Sequence, residues 1–160
     1  MSASSRASAG ILLFRRPAGR PVELFLVHPG GPFFANRNEG VWSIPKGEVE
    51  EGEDLLAAAA RELSEEVGIT VDPAAALPLG SVRRRDGKVV HAWALGVAED
   101  LAISVRSNSF EMEWPPHSGR RQSFPEVDRI SYFKVATARR KILPAQLPFI
   151  EELVERLEEK

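Results

Sequence analysis

Apolar positions fall into two rhythms along this chain. Residues 8–14 and 22–27 carry nearly continuous apolar runs, ending in Ile11-Leu-Leu-Phe14 and in Leu24-Phe-Leu-Val27. Short apolar runs bounded by turn residues predict buried strands. Pro17-Ala-Gly-Arg-Pro21 lies between them as a turn, so the two strands form a hairpin-like pair. His28-Pro-Gly-Gly-Pro32 breaks the chain again. Residues 33–40 read as loop, Val41-Trp-Ser-Ile44 as a short strand, and Pro45-Lys-Gly47 as a turn.

The rhythm then becomes helical over residues 53–67. Glu53 and Asp54 are expected in the first turn, where the helix dipole favours negative charge. Leu55-Leu-Ala-Ala-Ala-Ala60 has high helix propensity, and Gly68 is a good stop. Leu56, Ala60, Leu63 and Val67 recur at helical spacing and predict the buried face. Glu62, Glu65 and Glu66, at i, i+3 and i+4, share a face roughly opposite it. Residues 77–84 and 89–97 predict strands joined by the turn Asp86-Gly87. Residues 101–127 read as irregular and Ile130–Phe133 as a last strand. A helix is expected over 135–142, and another over 148–159 with Pro148 near its first position. The apolar stripe of that last helix is Phe149, Ile150, Leu153, Val154 and Leu157. This order implies an α/β domain with a mixed sheet.

Length and composition narrow the class. The chain of 160 residues suits one domain, with residues 1–6 expected as a loose tail. Apolar residues make up 43% and charged residues 28%, ordinary globular usage, and the net charge of −2 advertises neither nucleic acid nor an anionic membrane. No cysteine is present, which excludes disulfides, thiolate metal sites and a cysteine nucleophile. No window reaches the roughly 20 apolar residues of a membrane helix. A soluble, cytoplasmic protein is expected.

The glutamate face carries the chemistry. Three carboxylates packed together repel one another unless water or a cation relieves them. Carboxylate oxygens are hard ligands suited to Mg²⁺, Mn²⁺ or Ca²⁺, and no histidine joins them as zinc would prefer. Most acidic helix faces are merely solvated, so the flanks decide. Residues 47–69 read Gly-x5-Glu-x7-Arg-Glu-Leu-x-Glu-Glu-x-Gly-Ile without a gap. This stretch resembles the signature box of the Nudix hydrolases at all its defining positions. By chance the pattern would arise on the order of once in ten million chains of this length. The order of elements around it is also similar.

The resemblance implies a Nudix-type α/β/α sandwich. It further implies water attack on a nucleoside diphosphate linked to another group, with Mg²⁺ as the cofactor and Mn²⁺ as its alternative. Glu62, Glu65 and Glu66 would be metal ligands, directly or through water, and the Gly47 carbonyl a further one. Glu62 or Glu66 would also orient or deprotonate the water. Arg61 would pair with a carboxylate and hold the cluster in shape. Glu53 points away from the Glu62 face and is read as structural, bracing the loop or pairing with Arg61.

Outside the box, Lys46 can reach a substrate phosphate, and Arg84, within Arg83-Arg84-Arg85, can contact further phosphates. His91 shares a strand face with Trp93 and is a candidate for a base pocket. The stretch Trp42-Ser-Ile-Pro-Lys-Gly47 is similar to one in Nudix enzymes acting on dinucleoside polyphosphates and diphosphoinositol polyphosphates. Glu111-Met-Glu-Trp-Pro-Pro116 and Phe124-Pro-Glu-Val-Asp128 resemble a further Nudix subgroup of NTP pyrophosphohydrolase type. Many Nudix enzymes place one more acid after the box. Glu111, Glu113 and Glu126 are the candidates, with Glu126 preferred because it precedes the last strand. Trp114 is a candidate for stacking on a base.

The expected partner is a small nucleotide. Alternatives are capped or triphosphorylated RNA ends, a non-nucleotide diphosphate, or a binding module without turnover. The oligomeric state, a homodimer included, is not legible in the sequence.

Overall fold

The two N-terminal apolar runs form strands β1 (Ala7–Arg15) and β2 (Glu23–Pro29). Every residue from Ser8 to Phe14 is buried. Ile11 and Leu13 enter one apolar cluster while Leu12 and Phe14 enter another. Strand β1 is therefore covered on both faces, which explains an unbroken apolar run in place of alternation. This computed structural model describes residues 7–158, so the expected tail at residues 1–6 and the expected last helical residue, Glu159, lie outside the described residues.

Further strands are β3 (Lys46–Glu48), β4 (Leu77–Arg83), β5 (Val89–Gly96) and β8 (Val127–Lys134). Strands β6 (Ser109–Glu113) and β7 (Arg121–Pro125) lie between β5 and β8 in the chain. The main sheet runs β4-β5-β1-β2-β8, with β3 also paired to β1. β1 pairs parallel with β5 and antiparallel with β2, so the sheet is mixed, as expected. Helix α1 (Leu55–Val67) contributes to the cluster on one face. Helices α2 (Val135–Lys141) and α3 (Leu147–Glu158) contribute to the cluster on the other. The result is an α/β/α sandwich.

Several expectations need correction. Val41–Ile44 is not a strand; it makes only isolated bridges, Ser43 to Val27 and Trp42 to Ile142. Pro45-Lys-Gly47 is not simply a turn, because Lys46–Glu48 pairs with Ser8–Gly10 of β1. That long-range pairing overrides the local turn signal of proline and glycine. Residues 101–127 are not irregular throughout: β6 and β7 form a hairpin with Phe110 opposite Phe124. The hairpin is a separate sheet and mostly exposed, so its apolar alternation is faint.

Helix α1 also differs in detail. It starts at Leu55, and Asp54 is its N-cap, accepting the Ala57 N–H at 3.0 Å. Glu53 therefore precedes the first turn. The fully buried residues are Ala58, Ala59, Leu63 and Val67, whereas Leu56 and Ala60 are partly exposed. At 100° per residue, Glu62 and Glu66 fall within about 20° of the direction of Leu55, which packs on the core. The two carboxylates thus continue the inward stripe instead of standing opposite it.

Candidate active site

The site begins where β3 crosses α1. Gly47 sits so close to Glu62 that a Cβ built there would collide with its carboxyl group. Any side chain at this position would have to displace that carboxyl group, which gives the box glycine a packing reason. Glu62 is held on its other side by Arg61, whose Nη1 donates to Glu62 Oε2 at 2.9 Å.

Arg61 is the hub of the helix's polar surface. Its Nε and Nη2 donate to the two oxygens of Glu53 at 2.8 and 2.9 Å. Nη2 also donates to the Glu48 carbonyl at 3.2 Å, and Nη1 reaches Glu65 Oε2 at 3.4 Å. Glu53 Oε1 in turn accepts the Glu50 N–H at 3.0 Å. Hydrogen bonds from Arg61, then from the Glu50 backbone, pull the Glu53 carboxyl down to a pKa of about 2. Glu53 therefore both pairs with Arg61 and braces the loop before the helix. Glu65 is nearly half exposed and turns toward Arg61.

Glu66 differs from its neighbours. Its Oε1 is buried with no hydrogen-bond partner among the described residues. Burial, followed by the charge of Glu62, raises its pKa to about 8. Glu62 is also raised, chiefly by burial, against the opposing effect of Arg61. A carboxylate desolvated beside like charges is costly, and a cation relieves that cost.

Glu66 lines a cleft of about 740 Å³ together with Glu126, Lys46, Arg84 and Arg85. Its apolar walls include Val27, Phe34, Val82 and Val90, and the loop at Leu143–Gln146 closes one side. Burial lowers the pKa of Lys46, and the nearby Arg84 guanidinium lowers it further, against the raising effect of Glu66. Among the described residues no three acidic or imidazole groups already converge closely enough to hold a metal ion. The donor chemistry nevertheless suits a divalent cation of the Mg²⁺ type: Glu62, Glu66 and Glu126 offer hard oxygens coupled through their charges, and Glu66 Oε1 is buried without a partner among the described residues.

The cleft sorts the remaining candidates. Lys46, Arg84, Glu66 and Glu126 come together there, and Glu62 is next to them through its charge on Glu66. His91 does not line it: Val90 does, from the opposite face of β5, while Trp93 of the His91 face packs toward α1. Trp114 does not line it either; it packs edge-on against Phe33, with centroids 5.4 Å apart. Glu113 accepts the Gly119 N–H at 2.8 Å in the hairpin turn, and Glu111 pairs with Arg121 at 3.4 Å. Of the acids after the box, Glu126 is the one in the cleft.

Arg85, the neighbour of Arg84 in the Arg83-Arg84-Arg85 run, also lines the cleft. Phe34, in a loop without apolar pattern, and Gln146 are lining residues that no sequence pattern singles out. Gln146 is buried, accepting the Ile44 N–H and donating to Ser43 Oγ, both at 3.0 Å. Nothing in the Pro-Ala-Gln sequence around Gln146 signals that role.

Comparison with known proteins settles the family. The family model of the NUDIX domain matches residues 4–153. The chain belongs to the Nudix family. An RNA pyrophosphohydrolase of Caulobacter vibrioides shares 45% identity with it over 60 residues, 34% of this chain and 35% of that one. A Myxococcus xanthus protein named as an octanoyltransferase shares 34% over 129 residues, 76% of this chain and 32% of that one. The Nudix chain thus matches only about a third of the length of these relatives. Among solved structures, a binary complex of a C. elegans Ap4A hydrolase superposes with a TM-score of 0.68 at 21% identity, covering 96% of this chain and 99% of that one. The NUDIX domain of Shewanella oneidensis NrtR, solved with ADP ribose, reaches the same TM-score at 19% identity, covering 98% and 90%. At these identities the structural likeness speaks for the fold.

Proposed function

We propose that this Nudix protein is a Mg²⁺-dependent pyrophosphohydrolase. It cleaves a phosphoanhydride bond in a nucleoside diphosphate derivative, an NTP or a dinucleoside polyphosphate, by water attack on phosphorus. The observation that carries this reading is the buried, unpartnered Glu66 Oε1 in a cleft shared with Glu126, Lys46 and Arg84. Acids and cations facing one cavity suit a substrate that carries several phosphates and needs metal to offset them.

A divalent cation bound by Glu62, Glu66, Glu126 and the Gly47 carbonyl would neutralise phosphate charge and acidify water. The chain's own groups supply the rest. Lys46 and Arg84 orient the phosphates, and their charge favours departure of the phosphate leaving group. Glu66 offers an acceptor oxygen to the cation or to a proton of the attacking water. Arg61 keeps Glu62 in place and Glu53 keeps Arg61 in place. Glu65, nearly half exposed and turned toward Arg61, would complete the acidic set through water.

An RNA 5′ end is a second reading, favoured by the local likeness to the Caulobacter RNA pyrophosphohydrolase and by Arg84 and Arg85 at the cleft. A screen of nucleoside diphosphate derivatives and triphosphorylated RNA with Mg²⁺, with products identified by mass, separates the two. Release of mononucleotides from small substrates supports the first reading. Turnover of RNA alone replaces it with the second, and no turnover of either class overturns both.

A further inference from the structure

We propose that Arg106–Asn108 is a strap that sets the gap between Glu66 and Glu126, with Ser107 as its positioning residue. The inference rests on reading Glu66 and Glu126 as the acids that share a cation. These acids come from different elements: Glu66 from the last turn of α1, and Glu126 from the residue that separates β7 from β8. Among the described residues no hydrogen bond of the main sheet ties one directly to the other, and their like charges repel.

Three consecutive residues join them. The Arg106 N–H donates to the Glu66 carbonyl at 2.7 Å. Ser107 Oγ accepts the Val127 N–H at 2.8 Å. The Asn108 carbonyl accepts the Glu126 N–H at 2.8 Å. The Ser107 hydroxyl also donates to that same carbonyl at 2.7 Å, which fixes its rotamer. On the far side, the Glu126 carbonyl accepts the Gly30 N–H at 2.9 Å. The backbone that carries Glu126 is thus held from both sides, and one of those sides is referenced to the backbone of Glu66.

Gly68 leaves space for the Arg106 side chain of the strap. Its φ of 73° is left-handed, and a Cβ there would lie 2.8 Å from Arg106 Nε. The box glycine therefore both ends the helix and leaves the Arg106 side chain its place beside the helix terminus. The segment from Leu101 to Asn108 has no regular structure of its own, so these contacts, rather than a sheet ladder, fix its course. A cation bound by acids from two elements senses their separation, and loosening the strap weakens that binding.

The test uses the full chain and Mn²⁺ alone, without substrate. Affinity is read by electron paramagnetic resonance, and the Mn²⁺-induced rise in melting temperature gives the same readout for any variant of lower basal stability. Ser107→Ala is expected to weaken Mn²⁺ binding about tenfold, the scale seen when the partner of a metal ligand is lost. It should also speed hydrogen exchange at the Val127 amide. Its loss of hydrolysis should be recovered at high Mg²⁺ at a temperature where circular dichroism shows the metal-free variant already fully folded, so that the rescue reports binding and not refolding. Ser107→Thr keeps the hydroxyl and should restore the affinity. Unchanged affinity in Ser107→Ala, alongside weakened binding in Glu126→Gln, overturns the strap while leaving the site intact. Unchanged affinity in Glu126→Gln removes that acid from the site and overturns the strap with it.

Discussion

Arg61 grips Glu53 with a two-pronged hydrogen bond, at 2.8 and 2.9 Å, across eight residues of chain. The same guanidinium touches Glu62 at 2.9 Å. One planar cation therefore links the loop before the helix to a carboxylate of the proposed metal site. A lysine could keep the charge but not the fork. Arg61→Lys should lower kcat/KM about 10- to 100-fold, as expected when the support of a metal ligand is lost. Steady-state kinetics over a range of Mg²⁺ checks this, and wild-type kinetics would show that charge alone suffices.

The same pair sets an acid limit on stability. The folded pKa of Glu53 is held at about 2, below its ordinary 4.5, so the folded state prefers the ionised group. That stabilisation is fully present above about 4.5 and is lost as pH falls through about 2. Acid unfolding of the wild type should therefore have a component in this window that Glu53→Gln lacks. Parallel melts from pH 6 down to about pH 2 measure it. Identical pH slopes would exclude the contribution.

Gly47 is constrained by space, since a Cβ would run into the Glu62 carboxyl group. Gly47→Ala must push Glu62 away from the cleft or lift β3 from β1. The expected outcome is a folded protein with weakened Mn²⁺ binding and at least about tenfold lower activity. Circular dichroism and metal titration separate this from unfolding.

Gln146 lines the cleft and satisfies the Ile44 N–H. Gln146→Ala leaves that buried donor unpaired and should cost about 1–3 kcal/mol of stability. Chemical denaturation reads the cost. KM should rise more than kcat falls, because the residue lines the cleft without being one of its acids or cations.

The sequence was most informative where local pattern and tertiary structure agree. The continuous apolar run of β1 and the Gly-Glu-Arg-Glu spacing of residues 47–69 were both readable, since burial on two faces and fixed helical offsets leave direct traces. Strand β3 was hidden because Pro45 and Gly47 signal a turn, and pairing with β1 decided otherwise. The face of the glutamates is hidden in the sequence because Leu56 looks apolar enough to be core, yet it is not among the residues packed on the cluster that holds Leu55, Ala60 and Leu63. The helix instead turns Leu55 and Ala59 inward, and Glu62 and Glu66 with them. Glu126 could be preferred over Glu111 and Glu113 only by its position before a strand. The contacts that place it in the cleft, from Gly30 and Asn108, are far away in the chain. The buried His28, bonded to Asp128 at 2.7 Å and to the Arg37 carbonyl at 2.7 Å, left no local signal at all.

The most direct measurement is Mg²⁺-dependent hydrolysis in ¹⁸O-labelled water, comparing the wild type with Glu66→Gln. The amide is nearly isosteric but cannot take the proton or offer a charged oxygen. The predicted result is one ¹⁸O on a phosphate product of the wild type, and loss of turnover by at least about a thousandfold in the variant with the fold retained. Hydrolysis by Glu66→Gln at the wild-type rate would contradict catalysis at this site.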